Sequence, residues 1–305
     1  MFDYQRKLGI LDLASEADDG NGVKVAVIDT GIPGVSGVPV SLAENFTFEG
    51  PEDSGHATFV GSILFGSGEG LKGVCPKATS CFCKVFDGKA AKPETVAEAI
   101  EYATNIWDVD VINLSLGFSG DTECNKRLQM ACEKALLKGI VVVASAGNTG
   151  GKAFWPASLQ GVIGVGASNG FSKEPYSNVG QVNIVAPGTD LCGLDSDGTI
   201  KRSSGTSFSA AVITGLVALL IAKRRKRGLE PTATDIKMDL VSMCVDLGET
   251  GWDPETGYGF PFKNMVPRTF GQLVVLSVSN LFAIIKGAIT KAFAFLKTKE
   301  EKKHE

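Results

Sequence analysis

Between residues 22 and 220 the chain alternates short β-branched runs with stretches of helical spacing, the pattern of successive βαβ units that build a parallel sheet. Six runs read as strands: VKVAVID at 23–29, ATSCFCKVF at 78–86, VDVINLSL at 109–116, IVVVASAG at 140–147, VIGVGAS at 162–168 and NIVAPG at 183–188. They are apolar at nearly every position rather than at every second one, which predicts a sheet covered on both faces. Helical spacing over 55–66, 93–106 and 122–138 supplies covering layers, and the apolar run over 212–221 predicts another helix anchored in the core. Ligands of such a sheet gather at the carboxyl ends of its strands. The polar residues that follow the runs therefore carry the chemical interest.

Three runs end in such residues. VAVIDTG delivers Asp29, VINLSLG delivers Ser115, Leu116 and Gly117, and VVVASAGNTG delivers Asn148. A carboxylate at the end of an apolar strand is costly without a partner; capping a turn through Thr30 and Gly31 is the structural alternative for Asp29. The chain has two histidines, and His304 lies in the charged tail KTKEEKKHE, expected to be disordered. His56 is thus the one candidate base. It opens the helix of DSGHATFVGSIL, where a helix N-terminus disfavours the imidazolium. A working base there needs a carboxylate, and Asp29 is the candidate. Farther on, SSGTSFSAAVITG at 203–215 offers Ser203, Ser204, Ser207 and Ser209. Alone, that stretch reads as a helix start, where hydroxyls satisfy orphan backbone N–H groups.

Composition narrows the picture. A chain of 305 residues can bury one large α/β core with an appendage. Its net charge of −4 leaves no electrostatic footprint for nucleic acid. The basic run KRRKR at 223–227 precedes Gly228 and reads as cations at a helix C-terminus before a Gly cap. Seven cysteines, an odd number at irregular positions, suit free thiols in a reducing compartment. Cys75, Cys81 and Cys83 lie close, but Cys81 and Cys83 alternate within an apolar strand, so core packing is expected there rather than a metal. MFDYQRKLGILDLASEADD lacks the pattern of a secretory signal. A cytoplasmic location is expected, and no propeptide is expected ahead of the first strand. Neither G-x-x-x-x-G-K-[ST] nor a G-x-G-x-x-G opening a helix occurs, which argues against nucleotide binding.

Taken together, VAVIDTGI, SGHATFVGSI, VINLSLG, VVVASAGN and SSGTSFSAA resemble the subtilisin-like serine protease family over residues 8–264. LKGVCPKA, WPAS, PYSNVG, VAPG and GYGF strengthen the resemblance, and the order Asp, His, Ser is typical of subtilisins. It implies an α/β, three-layer subtilisin-like fold with a mainly parallel twisted sheet and helices on both faces. Ser207 would be the nucleophile, His56 the general base and Asp29 its orienting partner, with Asn148 and the Ser207 N–H holding the oxyanion. Substrate would pair as an added strand with Ser115, Leu116 and Gly117. The same segment and Ser145, Ala146 and Gly147 would wall the primary specificity pocket. Its floor falls near 153–158, where Trp155 is expected to fill space. The chain departs from the family at Ala57, Phe59, Ala211 and Val212, none of which deletes a catalytic group. No cofactor is implied for the chemistry, and LFGSGEGLKG at 64–73 lacks the Asn-rich character of the family's calcium loop.

Beyond residue 264 a second segment, 265–305, carries Val274, Val278, Leu281, Ile285, Ala288, Ala292 and Phe295 at steps of three and four. That spacing predicts an amphipathic helix over 268–297. Ser277, Ser279, Asn280 and Lys286 interrupt it too early for a membrane span. Docking on the first domain, attachment to a membrane surface and helix-mediated association remain open. The functional expectation is an intracellular serine endopeptidase acting on polypeptides, with a weak or inactive peptide-binding homologue as the alternative.

Overall fold

The computed structural model describes residues 9–68, 71–119, 126–170 and 172–261. The helix expected over 268–297 and the first residues of the one expected at 122–138 fall outside that range. All six expected strands form, as β1 (Lys24–Asp29), β3 (Thr79–Lys84), β4 (Val111–Leu114), β5 (Val141–Ser145), β6 (Ile163–Ser168) and β7 (Ile184–Pro187). A seventh, β2 (Leu42–Asn45), joins at one edge. It escaped the sequence reading because an edge strand needs no apolar run, and Leu42 and Ala43 are exposed. The order is β7-β6-β5-β4-β1-β3-β2, with every neighbouring pair parallel.

The helices are α1 (Ile10–Glu16), α2 (His56–Phe65), α3 (Pro93–Tyr102), α4 (Lys126–Leu137), α5 (Thr206–Lys226) and α6 (Ala233–Ser242). The pleat decides which of them each strand residue meets. Val25, Val27, Val111, Val143 and Val165 join the core with α1, α2, α5 and α6. Ala26, Ile28, Ile112, Leu114, Val142 and Ala144 join the other, with α3 and α4. This is the expected three-layer α/β arrangement. Cys81 and Cys83, two residues apart, share the second core, and burial holds the Cys81 thiol up at about 12. Packing is their part in the fold.

Among the described residues α5 is the one helix long and apolar enough to cross a membrane, with a mean hydropathy of 1.8, yet 89% of that stretch is buried. It is the central core helix, apolar all round because it is surrounded. Leu216 and Leu219 are fully buried, and each stabilises the fold by about 1.5–3 kcal/mol. Gly215 lets the helix approach the loop before β3: a Cβ there would lie 2.5 Å from that of Val74. The helix ends inside the basic run, at Lys226, and Gly228 follows with φ 74°. An antiparallel hairpin, β8 (Leu191–Leu194) and β9 (Ile200–Ser203), leads into α5.

From β1 the chain builds towards β2 and β3 on one side, then crosses to β4 and continues to β7 on the other. β1 and β4 therefore flank the point where the winding reverses, and the carboxyl ends of strands at such a point are where sheets of this kind form their ligand crevice.

Candidate active site

Asp29 is the last residue of β1 and 1% exposed. Its Oδ1 accepts from the Thr30 N–H at 2.7 Å and pairs with His56 Nδ1 at 2.7 Å. The second oxygen, Oδ2, is buried with no hydrogen-bond partner, so His56 is the group that can compensate the buried charge. His56 opens α2 and keeps 31% of its side chain exposed. One imidazole edge is thereby held by the fold while the ring stays accessible.

Asp53, which the sequence reading overlooked, supports this pair. It accepts from Thr30 Oγ1 at 2.6 Å and from the backbone N–H groups of Ala57 at 3.2 Å and Thr58 at 2.6 Å. It thus ties the first turn of α2 to the residue after Asp29. A short acidic side chain just ahead of a helix start was the available signal. Gly31 makes the approach feasible, since a Cβ there would lie 2.7 Å from the Asp53 Cβ. For His56, burial disfavours the cation and is the largest single effect. The charge and hydrogen bond of Asp29, with the charge of Asp53, outweigh it and raise the pKa above the usual 6.5.

Ser207 occupies the first turn of α5 and is partly exposed. One neighbour fixes that turn to Asn148 twice: the Thr206 N–H and Oγ1 donate to Asn148 Oδ1 at 2.9 and 3.0 Å. Thr206 Oγ1 accepts in turn from the Gly147 N–H at 3.1 Å. With its carbonyl occupied, the exposed Asn148 amide presents Nδ2 beside Gly205, without an acceptor among the described residues. The Ser207 N–H also has no acceptor there. Two donors are thus unspent next to one hydroxyl.

The hydroxyl itself is not on the imidazole. Ser207 Oγ donates to the Ser115 carbonyl at 3.1 Å, and Ser115 Oγ donates to the Ser207 carbonyl at 2.8 Å. Beneath them Asn113 Nδ2 donates to Ser115 Oγ at 2.9 Å, and Thr214 Oγ1 donates to Asn113 Oδ1 at 2.8 Å. This buried chain locks α5 to the end of β4. His56 and Ser207 are neighbours through Phe208, whose ring centre lies 5.7 Å from the imidazole's. Of the rival serines, Ser209 Oγ is spent on the Ala186 and Pro187 carbonyls, both at 3.1 Å. Ser204 Oγ accepts from the Asp190 N–H at 2.9 Å.

The departures noted at Ala57, Phe59 and Ala211 are packing substitutions. Ala57 and Ala211 are fully buried. Phe59 stacks on Phe208, centroids 4.4 Å apart, and lies against Gly193 of β8. An aromatic pair backs the imidazole in place of a second polar ring.

Two segments border the crevice. In 115–117 the Gly117 N–H and C=O have no hydrogen-bond partner among the described residues. In 145–147 the backbone is occupied: the Ala146 N–H donates to Val165 at 2.9 Å and its carbonyl accepts from Phe154, while the Gly147 carbonyl accepts from Asn178 at 3.0 Å. The first segment can take an extended chain; the second can only wall it. Among the described residues no group of three or more His, Cys, Asp or Glu side chains could hold a metal ion; Glu69 and Gly70, in the loop compared with the calcium loop, lie outside them.

A family model described as the subtilase family matches residues 20–259. Subtilisin DY of Bacillus licheniformis is 32% identical over 251 residues, 76% of this chain and 86% of that protein. The minor extracellular protease Epr of Bacillus subtilis is 30% identical over 250 residues, 79% of this chain but 38% of its own length. Among solved structures, the prenylagaramide maturation protease PagA is 28% identical with a TM-score of 0.72, covering 83% of this chain and 95% of PagA. An S218A mutant of the protease domain of PatA is 26% identical with a TM-score of 0.71, covering 85% and 96%. With the family model spanning most of the chain, and the end of β1 and the start of α2 bringing Asp29 and His56 together, this protein belongs to the subtilase family, the subtilisin-like serine proteases.

Proposed function

We propose that the chain is an endopeptidase that cleaves polypeptides through an acyl-enzyme on Ser207. The observation that carries this reading is the 2.7 Å contact between buried Asp29 and His56, one chain neighbour away from the unspent donors at the start of α5. In the reaction Ser207 Oγ exchanges the Ser115 carbonyl for His56 Nε2 by rotation about its Cα–Cβ bond. Apo hydrogen bonds of this kind tighten when substrate is bound. Oγ attacks the substrate carbonyl as its proton passes to His56, and Asp29 stabilises the imidazolium. Negative charge on the carbonyl oxygen is met by Asn148 Nδ2 and the Ser207 N–H. His56 then protonates the leaving amine, and water cleaves the ester by the same steps. An extended peptide docks by pairing with Gly117, whose backbone groups are unspent.

Labelling with a fluorophosphonate tests the reading. The native chain is expected to label at Ser207, and Ser207→Ala and His56→Ala to lose the label while keeping their circular dichroism. A folded native chain that stays unlabelled leaves the peptide-binding alternative standing.

The six described cysteines are unpaired, and they support a reducing compartment such as the cytoplasm for this activity. Membrane-surface attachment or helix-mediated association through 268–297 is part of the same proposal, and co-sedimentation with anionic liposomes with and without residues 268–305 separates the two.

A further inference from the structure

Both segments that wall the crevice carry glycine where they face each other, and one ring lies between them. A Cβ built on Gly117 would sit 2.9 Å from the Phe154 Cβ; one built on Gly147 would sit 2.7 and 3.0 Å from its Cδ2 and Cε2. The ring of Phe154 therefore spans the gap and touches both walls. Gly147 also has φ 106°, so space and backbone conformation both require glycine there.

Phe154 has little freedom to leave. Its N–H donates to the Ala146 carbonyl at 2.9 Å and its carbonyl accepts from Ser158 at 3.0 Å. On either side the Ala153 N–H donates to Val179 at 2.7 Å, and Trp155 exchanges two backbone hydrogen bonds with Phe118 at 2.8 and 3.1 Å. The backbone is thus clamped at three successive residues. Phe154 is only partly buried.

From this geometry we infer that Phe154 fills the primary specificity pocket and restricts the residue on the acyl side of the scissile bond to glycine, alanine or serine. The inference rests on the proposed function, because it takes 115–117 and 145–147 as the pocket walls. A small side chain would lie on the ring, whereas a phenylalanine or leucine side chain would meet a volume already occupied by a clamped neighbour. Close-packed groups yield poorly to added volume, and one methylene changes discrimination by about 10- to 200-fold.

The test uses the full chain and two tetrapeptide p-nitroanilides that differ in Ala or Phe next to the scissile bond, with rates normalised to fluorophosphonate-labelled sites. The Ala peptide is expected to lead in kcat/KM by at least about 100-fold. Phe154→Gly is expected to raise the Phe-to-Ala ratio by at least tenfold, and Phe154→Ala to raise it less. A labelled native enzyme that cleaves the Phe peptide as well as the Ala peptide overturns the inference and leaves the protease reading intact, as does a labelled Phe154→Gly with the native ratio. A native chain that does not label overturns both. Should Phe154→Gly fail to fold, the native ratio and Phe154→Ala decide.

Discussion

The two ends of α5 are made from the same helix and treat their polar groups in opposite ways. At the start, the Ser207 N–H and Asn148 Nδ2 have no acceptor among the described residues, and the Ser207 hydroxyl rests on a carbonyl at 3.1 Å. At the other end four of the five cations of the basic run are engaged. Lys223 meets Glu16 at 2.6 Å, Arg224 grips Asp239 at 2.6 and 2.8 Å, and Arg225 meets Asp110 at 2.5 Å and Glu230 at 2.6 Å. Lys226 donates to the Glu16 carbonyl at 3.2 Å. Charge alone marked the second end as conspicuous in the sequence, but Lys223 to Lys226 are spent on the fold. The proposed chemistry uses the end where donors are rigidly placed and still free.

The sharpest way to break this contrast is at the first end. Ser207→Ala is expected to lower kcat for peptide hydrolysis by about a million-fold, with the thermal unfolding midpoint nearly unchanged. That magnitude is the one known for a subtilisin, not one derived from this chain. Asn148→Ala comes next, at about 100- to 1,000-fold in kcat, again a subtilisin's scale. KM is expected to change little, because the donor matters mainly once the oxygen carries charge.

A smaller effect concerns the pH profile. Since the His56 pKa is raised, the acid limb of kcat/KM is expected above pH 6.5, where the base is half neutral. Asp53→Asn removes one of the charges that raise it and is expected to move that limb to lower pH. Stability follows with the opposite sense. A folded-state pKa above the unfolded value means that the His56 pair stabilises the protein fully below about pH 6.5. That contribution fades as pH rises through the folded value, and urea titrations at pH 5.5 and 8.5 should differ less in Asp53→Asn than in the native chain. The smallest effect belongs to the far end of α5. Arg225→Ala is expected to cost about 1 kcal/mol or less of stability, read from the urea midpoint, with kcat unchanged.

Much of the architecture was legible because burial imposes a period on the sequence. Runs such as VVVAS could only be strands covered on both faces, and the solitary internal His56 with a strand-end Asp29 singled out the pair that meets at 2.7 Å. Elements with little apolar content were not legible. β2 is half exposed, the hairpin β8–β9 has Lys201 and Arg202 on its second strand, and α6 buries only Ile236 and Leu240. Asp53 could have been suspected from its place ahead of a helix, though its hold on Thr30 depends on the approach that Gly31 permits. Near the pocket, Trp155 was the expected space filler, yet the ring that bridges the two walls is that of Phe154.

The amino-acid sequence by itself determined the layered α/β fold, the buried central helix and the order in which Asp29, His56, Asn148 and Ser207 occur, because each depends on short-range pattern and burial. Only the tertiary structure decided that Ser207 rests on Ser115, that Lys223 to Lys226 find partners and that Phe154 lies between the two glycines. Those outcomes depend on distances between segments far apart in the chain, set by how sheet and helices pack together and not by any local preference.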